Sequence, residues 1–151
     1  MSVRYLLVDG HSVIFAWPDL RALHDRNRAA ARQALASQLQ HLHDTTHWLV
    51  TLVLDGKLGS MVGHTPAKRT DMVISYATAD QTADSIIERM VAVSGLAKEI
   101  LVITADEAEK LTVESLGAMS ASPSWLREEL EREGSSFAGN LERVHRSARW
   151  K

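Results

Sequence analysis

From the N-terminus, a short apolar run at Val3–Val8 closes on Asp9-Gly10, and a second at Trp48–Leu54 closes on Asp55-Gly56. Apolar runs of this length, ended by turn residues, predict buried strands. Met72–Tyr76 is a weaker third candidate, and Ile100–Thr104, leading into Ala105-Asp106, is a fourth. Between these runs the period lengthens. Asn27–His43 carries Ala31, Leu35, Leu39 and Leu42 at helical spacing, and Ala83, Ile86, Ile87 and Met90 form a second stripe. Two more helices are predicted near Asp106 and near Ser122-Pro123, the latter a cap followed by proline at the first helical position.

Strands that alternate with helices imply a mostly parallel sheet covered on both faces. The expected fold is therefore α/β, a three-layer α/β/α sandwich. No internal repeat, low-complexity tract or linker interrupts the sequence, so a single domain over 1–151 is expected, with C-terminal helices from about residue 122. Gly59–Thr70 is the longest expected loop, and Gly134–Gly139 separates two terminal helices. A chain of 151 residues can bury about 68–70% of its unfolded surface in one core. Its 45% hydrophobic and 24% charged residues are those of a globular protein.

Composition then removes several chemistries. There is no cysteine, which excludes disulfides, thiolate-bound zinc and cysteine nucleophiles. The first apolar run is too short for a signal peptide and no stretch nears a membrane span, so the cytoplasm is the expected location and no membrane partner is expected. The formal net charge of -2 gives no general attraction to nucleic acid, so any such contact needs local clusters. Two exist: Lys57, Lys68 and Arg69 with no acid between them, and Arg143, Arg146, Arg149 and Lys151 near the C-terminus.

In an open parallel sheet, ligands bind beyond the carboxyl ends of the strands. Asp9, Asp55 and Asp106 fall at that edge, one from each of three strands. Asp-Gly alone is a common turn signal, but three acids on one rim repel one another unless a cation sits between them. Oxygen ligands of this kind suit Mg²⁺ or Mn²⁺. Asp84 and Glu88 share one side of the helix that begins near Thr82 and could face the same rim. Spacing by itself favours the plainer reading, in which Asp84 complements the helix dipole and Glu88 is solvated.

Other chemistries find less support. His41, His43 and His47 are not spaced to bind zinc together, and Ser12 has no evident His/Asp relay. Neither phosphate-loop pattern, G-x-x-x-x-G-K-[ST] or G-x-G-x-x-G, occurs. His11 could contact phosphate or simply pack in the strand–helix turn. Of Trp17, Trp48, Trp125 and Trp150, the first three are expected to pack, and Trp150, inside the basic run, is the best candidate to stack on a base.

Leu6-Leu7-Val8-Asp9-Gly10, followed by Val13-Ile14, resembles the opening strand of the YacP-like branch of NYN domains, within the PIN-like ribonuclease superfamily. Further blocks follow in order: Arg32 with its leucine-rich helix, Val53-Leu54-Asp55-Gly56, Tyr76 before Thr82-Ala83-Asp84, Ile87-Glu88-Arg89, and Val102-Ile103-Thr104-Ala105-Asp106. The likeness runs from about residue 4 to about residue 130. It implies a PIN-like fold and a divalent-metal-dependent endoribonuclease, a hydrolase of RNA phosphodiester bonds. On this resemblance Asp9, Asp84 and Asp106 are the catalytic, metal-binding acids, with Asp55 and Glu88 as second-rank ligands of Mg²⁺ or Mn²⁺. The partner is RNA, free or on the ribosome, held by Lys57, Lys68, Arg69, Arg143, Arg146 and Arg149. The chain departs from the family at one place: His11-Ser12 stands where Tyr-Asn is usual. That departure feeds the alternative, a catalytically inactive PIN-like RNA- or ribosome-binding module. A phosphatase with Asp9 as nucleophile is disfavoured because His11 occupies the place of the second acid of a D-x-D motif.

Overall fold

The computed structural model of the protein describes residues 3–56, 72–78 and 80–132. Five parallel strands form one sheet, and the expected α/β sandwich is what the chain adopts. The elements are β1 (Tyr5–Asp9), α1 (Gly10–Ala16), α2 (Pro18–Arg26), α3 (Arg28–Thr45), β2 (Leu49–Asp55) and β3 (Val73–Ala77). After these come α4 (Ala83–Ser94), β4 (Ile100–Ile103), α5 (Glu107–Ser115), β5 (Met119–Ala121) and α6 (123–132). The strand order is β3-β2-β1-β4-β5. The chain thus builds outward from β1 to β3, then returns to the other side of β1 to lay down β4 and β5.

Alternation along β1 divides the core. Leu6 and Val8 face a cluster with Leu35, Leu39, Leu52, Ile103 and Leu126, whereas Leu7 faces one with Val53, Ile87, Val91, Val102 and Val113. One face of the sheet is covered by α1, α2, α3 and α6, the other by α4 and α5. Both faces of the central strands are buried, which is why the sequence shows continuous apolar runs there.

Three elements lie outside the sequence-based expectation. The stretch after Asp9-Gly10 forms α1 directly, with Asp9 as N-cap accepting from the Ser12 backbone N–H at 3.4 Å. Trp17-Pro18 opens α2, with proline in its first turn. Met119–Ala121 adds a fifth strand, paired in parallel with β4. The glycines of the two Asp-Gly pairs are there for close approach as well as for turning. A Cβ on Gly10 would run into the Leu54 side chain, and one on Gly56 would meet the backbone carbonyl of Ala77.

The tryptophans within the described residues pack, as expected. Trp17 is buried and donates from Nε1 to the Pro123 carbonyl at 2.9 Å, and the rings of Trp48 and Trp125 lie 5.7 Å apart. Among the described residues, no helix is long and apolar enough to cross a membrane. Lys57, Lys68, Arg69, Arg143, Arg146, Arg149, Lys151, Trp150 and the loops Gly59–Thr70 and Gly134–Gly139 lie outside the described residues.

Candidate active site

The strand order reverses at β1, so the connections leaving β1 and β4 part in opposite directions and open a crevice at the carboxyl edge. A cleft of about 540 Å³ lies there, lined by Asp9, Asp55, Asp84 and Asp106 together with His11, Ser12 and Phe15. The four aspartates come from β1, from β2, from the first turn of α4 and from the cap of α5. Sequence reasoning put Asp9, Asp55 and Asp106 on one rim. The cleft includes Asp84 as well, which spacing by itself did not require.

Asp9 is the innermost of the four, 7% exposed. Its Oδ2 accepts from Ser12 Oγ at 3.0 Å and from Thr104 Oγ1 at 3.4 Å, so two hydroxyls aim the carboxylate. Ser12 Oγ also accepts from the Ala105 backbone N–H at 3.2 Å. That single hydroxyl therefore supplies both a donor and an acceptor, and it ties α1 to the β4–α5 connection. Asp106 caps α5, its Oδ1 accepting from the N–H groups of Ala108 and Glu109 at 2.9 and 3.3 Å. Asp84 lies within a capping box in which Thr82 and Ser85 satisfy one another's backbone N–H, leaving the Asp84 carboxylate free of capping duty.

One residue of the site has no counterpart in the sequence-based candidates. Glu109, on α5, is 1% exposed; its Oε1 meets Thr104 Oγ1 at 2.6 Å, and its Oε2 is buried with no hydrogen-bond partner among the described residues. Burial, opposed by the Thr104 hydroxyl and reinforced by the charges of Asp9 and Asp84, pushes its pKa up to about 8. Glu109 is therefore protonated at neutral pH, and Thr104 links it to Asp9. Glu88 sits deeper along α4, half-buried, and its pKa is raised by burial and then by Asp84 and Asp106. It does not line the cleft, but it feels both acids that do.

Among the described residues, no three His, Asp or Glu side chains are disposed to hold one metal ion together. The aspartates stand around the cleft. Such a donor set fits Mg²⁺ or Mn²⁺ in the way these ions commonly bind, through one or two carboxylates with water and substrate phosphate completing the shell. The mutual repulsion felt at Glu88 and Glu109 is what a cation would relieve.

The pattern of YacP-like NYN domains matches residues 6–151 of the chain. This protein belongs to the YacP-like NYN domain family. Its sequence is 31% identical over 129 residues to a protein of Bacillus subtilis (strain 168) that bears the name uncharacterized protein YacP, covering 83% of this chain and 74% of that one. The fold is similar to the crystal structure of Rae1 (YacP) from Bacillus subtilis, with a TM-score of 0.78 and 26% identity, covering 95% of this chain and 82% of that one. A mutant form of Rae1 gives a TM-score of 0.79 at the same identity, covering 95% of this chain and 84% of that chain. The YacP-like NYN chain thus has a nuclease-like, RNA-related fold, and the family is the one its sequence resembles. Its opening strand, β2, α4 and the cap of α5 are the elements that bring the four aspartates to the cleft.

Proposed function

We propose that the cleft hydrolyses phosphodiester bonds of RNA as a divalent-metal-dependent endoribonuclease. The observation that carries this reading is the convergence of Asp9, Asp55, Asp84 and Asp106, from four separate elements, on one cleft of a YacP-like NYN fold. Of Asp9, Asp84 and Asp106, one or two carboxylates would ligate an ion directly and the others through its water shell, with Asp55 as a further oxygen donor and Glu88 adding negative potential from behind. A bound Mg²⁺ or Mn²⁺ supplies an activated water and neutralises charge on the phosphoryl oxygens.

The chain's own residues do the positioning. Ser12 and Thr104 fix the direction of the Asp9 carboxylate, and the first turn of α5 fixes Asp106. Lys57, Lys68, Arg69, Arg143, Arg146 and Arg149 would hold the RNA backbone as point charges.

A second reading has specific support: His11-Ser12 replaces the family's usual pair, and among the described residues no three acids close on one point. In that reading the chain binds RNA without cutting it. Labelled RNA incubated with the purified protein in Mn²⁺, Mg²⁺ or EDTA separates the two. The nuclease reading expects metal-dependent fragments from the wild type and none above background from Asp9→Asn. Equal, metal-independent behaviour of both proteins, with RNA still bound, would establish the binding module.

A further inference from the structure

The cleft has a second wall that the aspartates do not form. His11 and Phe15, one helical turn apart on α1, meet at a tilt of 38° with ring centroids 4.4 Å apart, and Phe15 meets the edge of His24 at 4.8 Å. Arg21 lies over the Phe15 ring, 5.5 Å from its centroid, within cation–π range. Both His11 and Phe15 line the cleft beside Asp9, and the same two rings line a hollow of about 20 Å³ next to it, shared with His24 and Arg32.

Packing explains only part of this ladder. Val13 and Ile14 carry the buried face of α1, whereas His11 is exposed and Phe15 half-buried. The pKa of His24 is lowered, first by burial and then by Arg28, so at neutral pH its ring supports the stack as an uncharged surface. The positive charge on this side comes from Arg21, Arg28 and Arg32, with Asp25 as a neighbouring acid. Aromatic faces interleaved with guanidinium groups are how proteins hold single-stranded nucleic acid, since every base has a π face and the arginines track the phosphates.

We propose that His11 and Phe15, with Arg21, form a subsite that stacks one unpaired base of single-stranded RNA beside the phosphate held at the Asp9 cleft. This deepens the proposed function and rests on it. His11 follows Asp9 by two residues, so a base on its ring belongs to a nucleotide flanking the reacting phosphate. Paired bases are covered on both faces within a duplex, whereas splayed single-stranded bases are free to stack on aromatic side chains. The subsite therefore selects unpaired RNA.

The test is fluorescence anisotropy of the full chain with a labelled single-stranded oligonucleotide and with an RNA duplex of the same length, in EDTA at low salt so that no cleavage occurs. His11→Ala removes an exposed ring, and Phe15→Leu keeps an apolar side chain against the core; unchanged melting confirms that both fold. Stacking is worth about 1–3 kcal/mol per base, so each ring variant is expected to bind the single strand roughly 5-fold or more weakly while binding the duplex as the wild type does. Arg21→Ala is expected to reduce the slope of log affinity against log salt by about 0.7, one phosphate's share on a single strand. Wild-type affinity for the single strand in both ring variants overturns the subsite, as does an equal loss for strand and duplex. If the wild type binds no RNA at all, in EDTA or with Ca²⁺, the proposed function itself falls, a different result from wild-type binding that the variants share.

Discussion

Asp19 and Glu109 are carboxylic acids on opposite sides of the same molecule, and their surroundings move them in opposite directions. Asp19, on α2, receives two N–H donors from Arg127 of α6, at 3.1 and 2.9 Å, and its pKa is lowered, chiefly by that hydrogen bonding. Glu109 has a hydroxyl, a second acid and an unpartnered oxygen for company, and its pKa is pushed up to about 8. The first arrangement is closed: charge meets charge, and Arg127 also covers the Trp17 ring at 4.6 Å. The second is incomplete. Around Glu109, the acids Asp9 and Asp84 raise its pKa. The contrast is between a carboxylate held by a cationic partner and an acid pressed by two others.

The hardest way to break this contrast is at its centre. Asn caps a helix about as well as Asp, so Asp9→Asn should keep α1 and the fold while removing the charge that faces the cleft. Cleavage of labelled RNA in Mn²⁺ should fall at least about 100-fold, since even groups that only support a metal ligand cost about 10–100-fold. Melting without metal should hold or rise, because one member of a repelling cluster has lost its charge. A variant that cuts as fast as the wild type would remove Asp9 from the chemistry. Added Mg²⁺ or Mn²⁺ should also stabilise the wild type, by about 2.7 kcal/mol at a concentration 100 times the Kd, read as a higher Tm. The gain should shrink in Asp9→Asn, and an equal gain in both proteins would place the ion elsewhere.

Glu109→Gln breaks the contrast more gently. The folded pKa near 8 lies above the ordinary value of 4.5, so the folded state holds the proton more tightly than the unfolded one. Stability owed to that proton is fully present below about pH 4.5 and is lost as pH rises through about 8. The amide introduced by Glu109→Gln would mimic the protonated acid at every pH, so the variant and wild type should melt alike at or below about pH 4.5 and draw apart as pH rises from there toward 8. Above pH 8 the variant should melt several degrees higher, at about 2–4 °C per kcal/mol for a chain of this size. Parallel melting curves across that range would show that Glu109 is charged throughout.

Much of this could be read from the sequence, for a reason particular to parallel sheets. Strands buried on both faces carry unbroken apolar runs, and Leu6-Leu7-Val8 and Leu52-Val53-Leu54 announce themselves. β5 did not, since Met-Ser-Ala is short and its methionine is exposed. α1 was missed because Asp9-Gly10 reads as a turn, although here Asp9 is a cap and Gly10 the first helical residue. The signal that could have found α2 was Pro18 in its first turn. Glu109 was hidden differently. Asp106-x-x-Glu109 has the form of a capping box, which gives the glutamate an ordinary surface role. Its burial comes from Thr104 and the sheet behind it, contacts that join residues close in sequence through a tertiary turn. Its place four residues before the buried Val113 was the only available hint.

The closed side of the contrast should respond least. The Asp19–Arg127 pair is partly exposed, with side chains 56% and 33% accessible, and exposed ion pairs contribute about 0–1 kcal/mol. Asp19→Asn removes the charge but leaves an amide oxygen to accept from Arg127, so the loss should sit in the lower half of that range by urea denaturation at pH 7. Arg127→Ala should cost somewhat more, because it also uncovers the Trp17 ring. The sign of the pH dependence is opposite to that at Glu109. With the folded pKa of Asp19 depressed, its contribution is present above the ordinary aspartate value of 3.8 and is lost as pH falls through the lower folded value. The gap between wild type and Asp19→Asn should therefore close in acid, while the gap between wild type and Glu109→Gln opens in base. Two such variants that diverged at the same end of the pH scale would show that both carboxyls sit in one kind of surrounding, and the distinction between a paired helix contact and an unpaired acidic cleft would be lost.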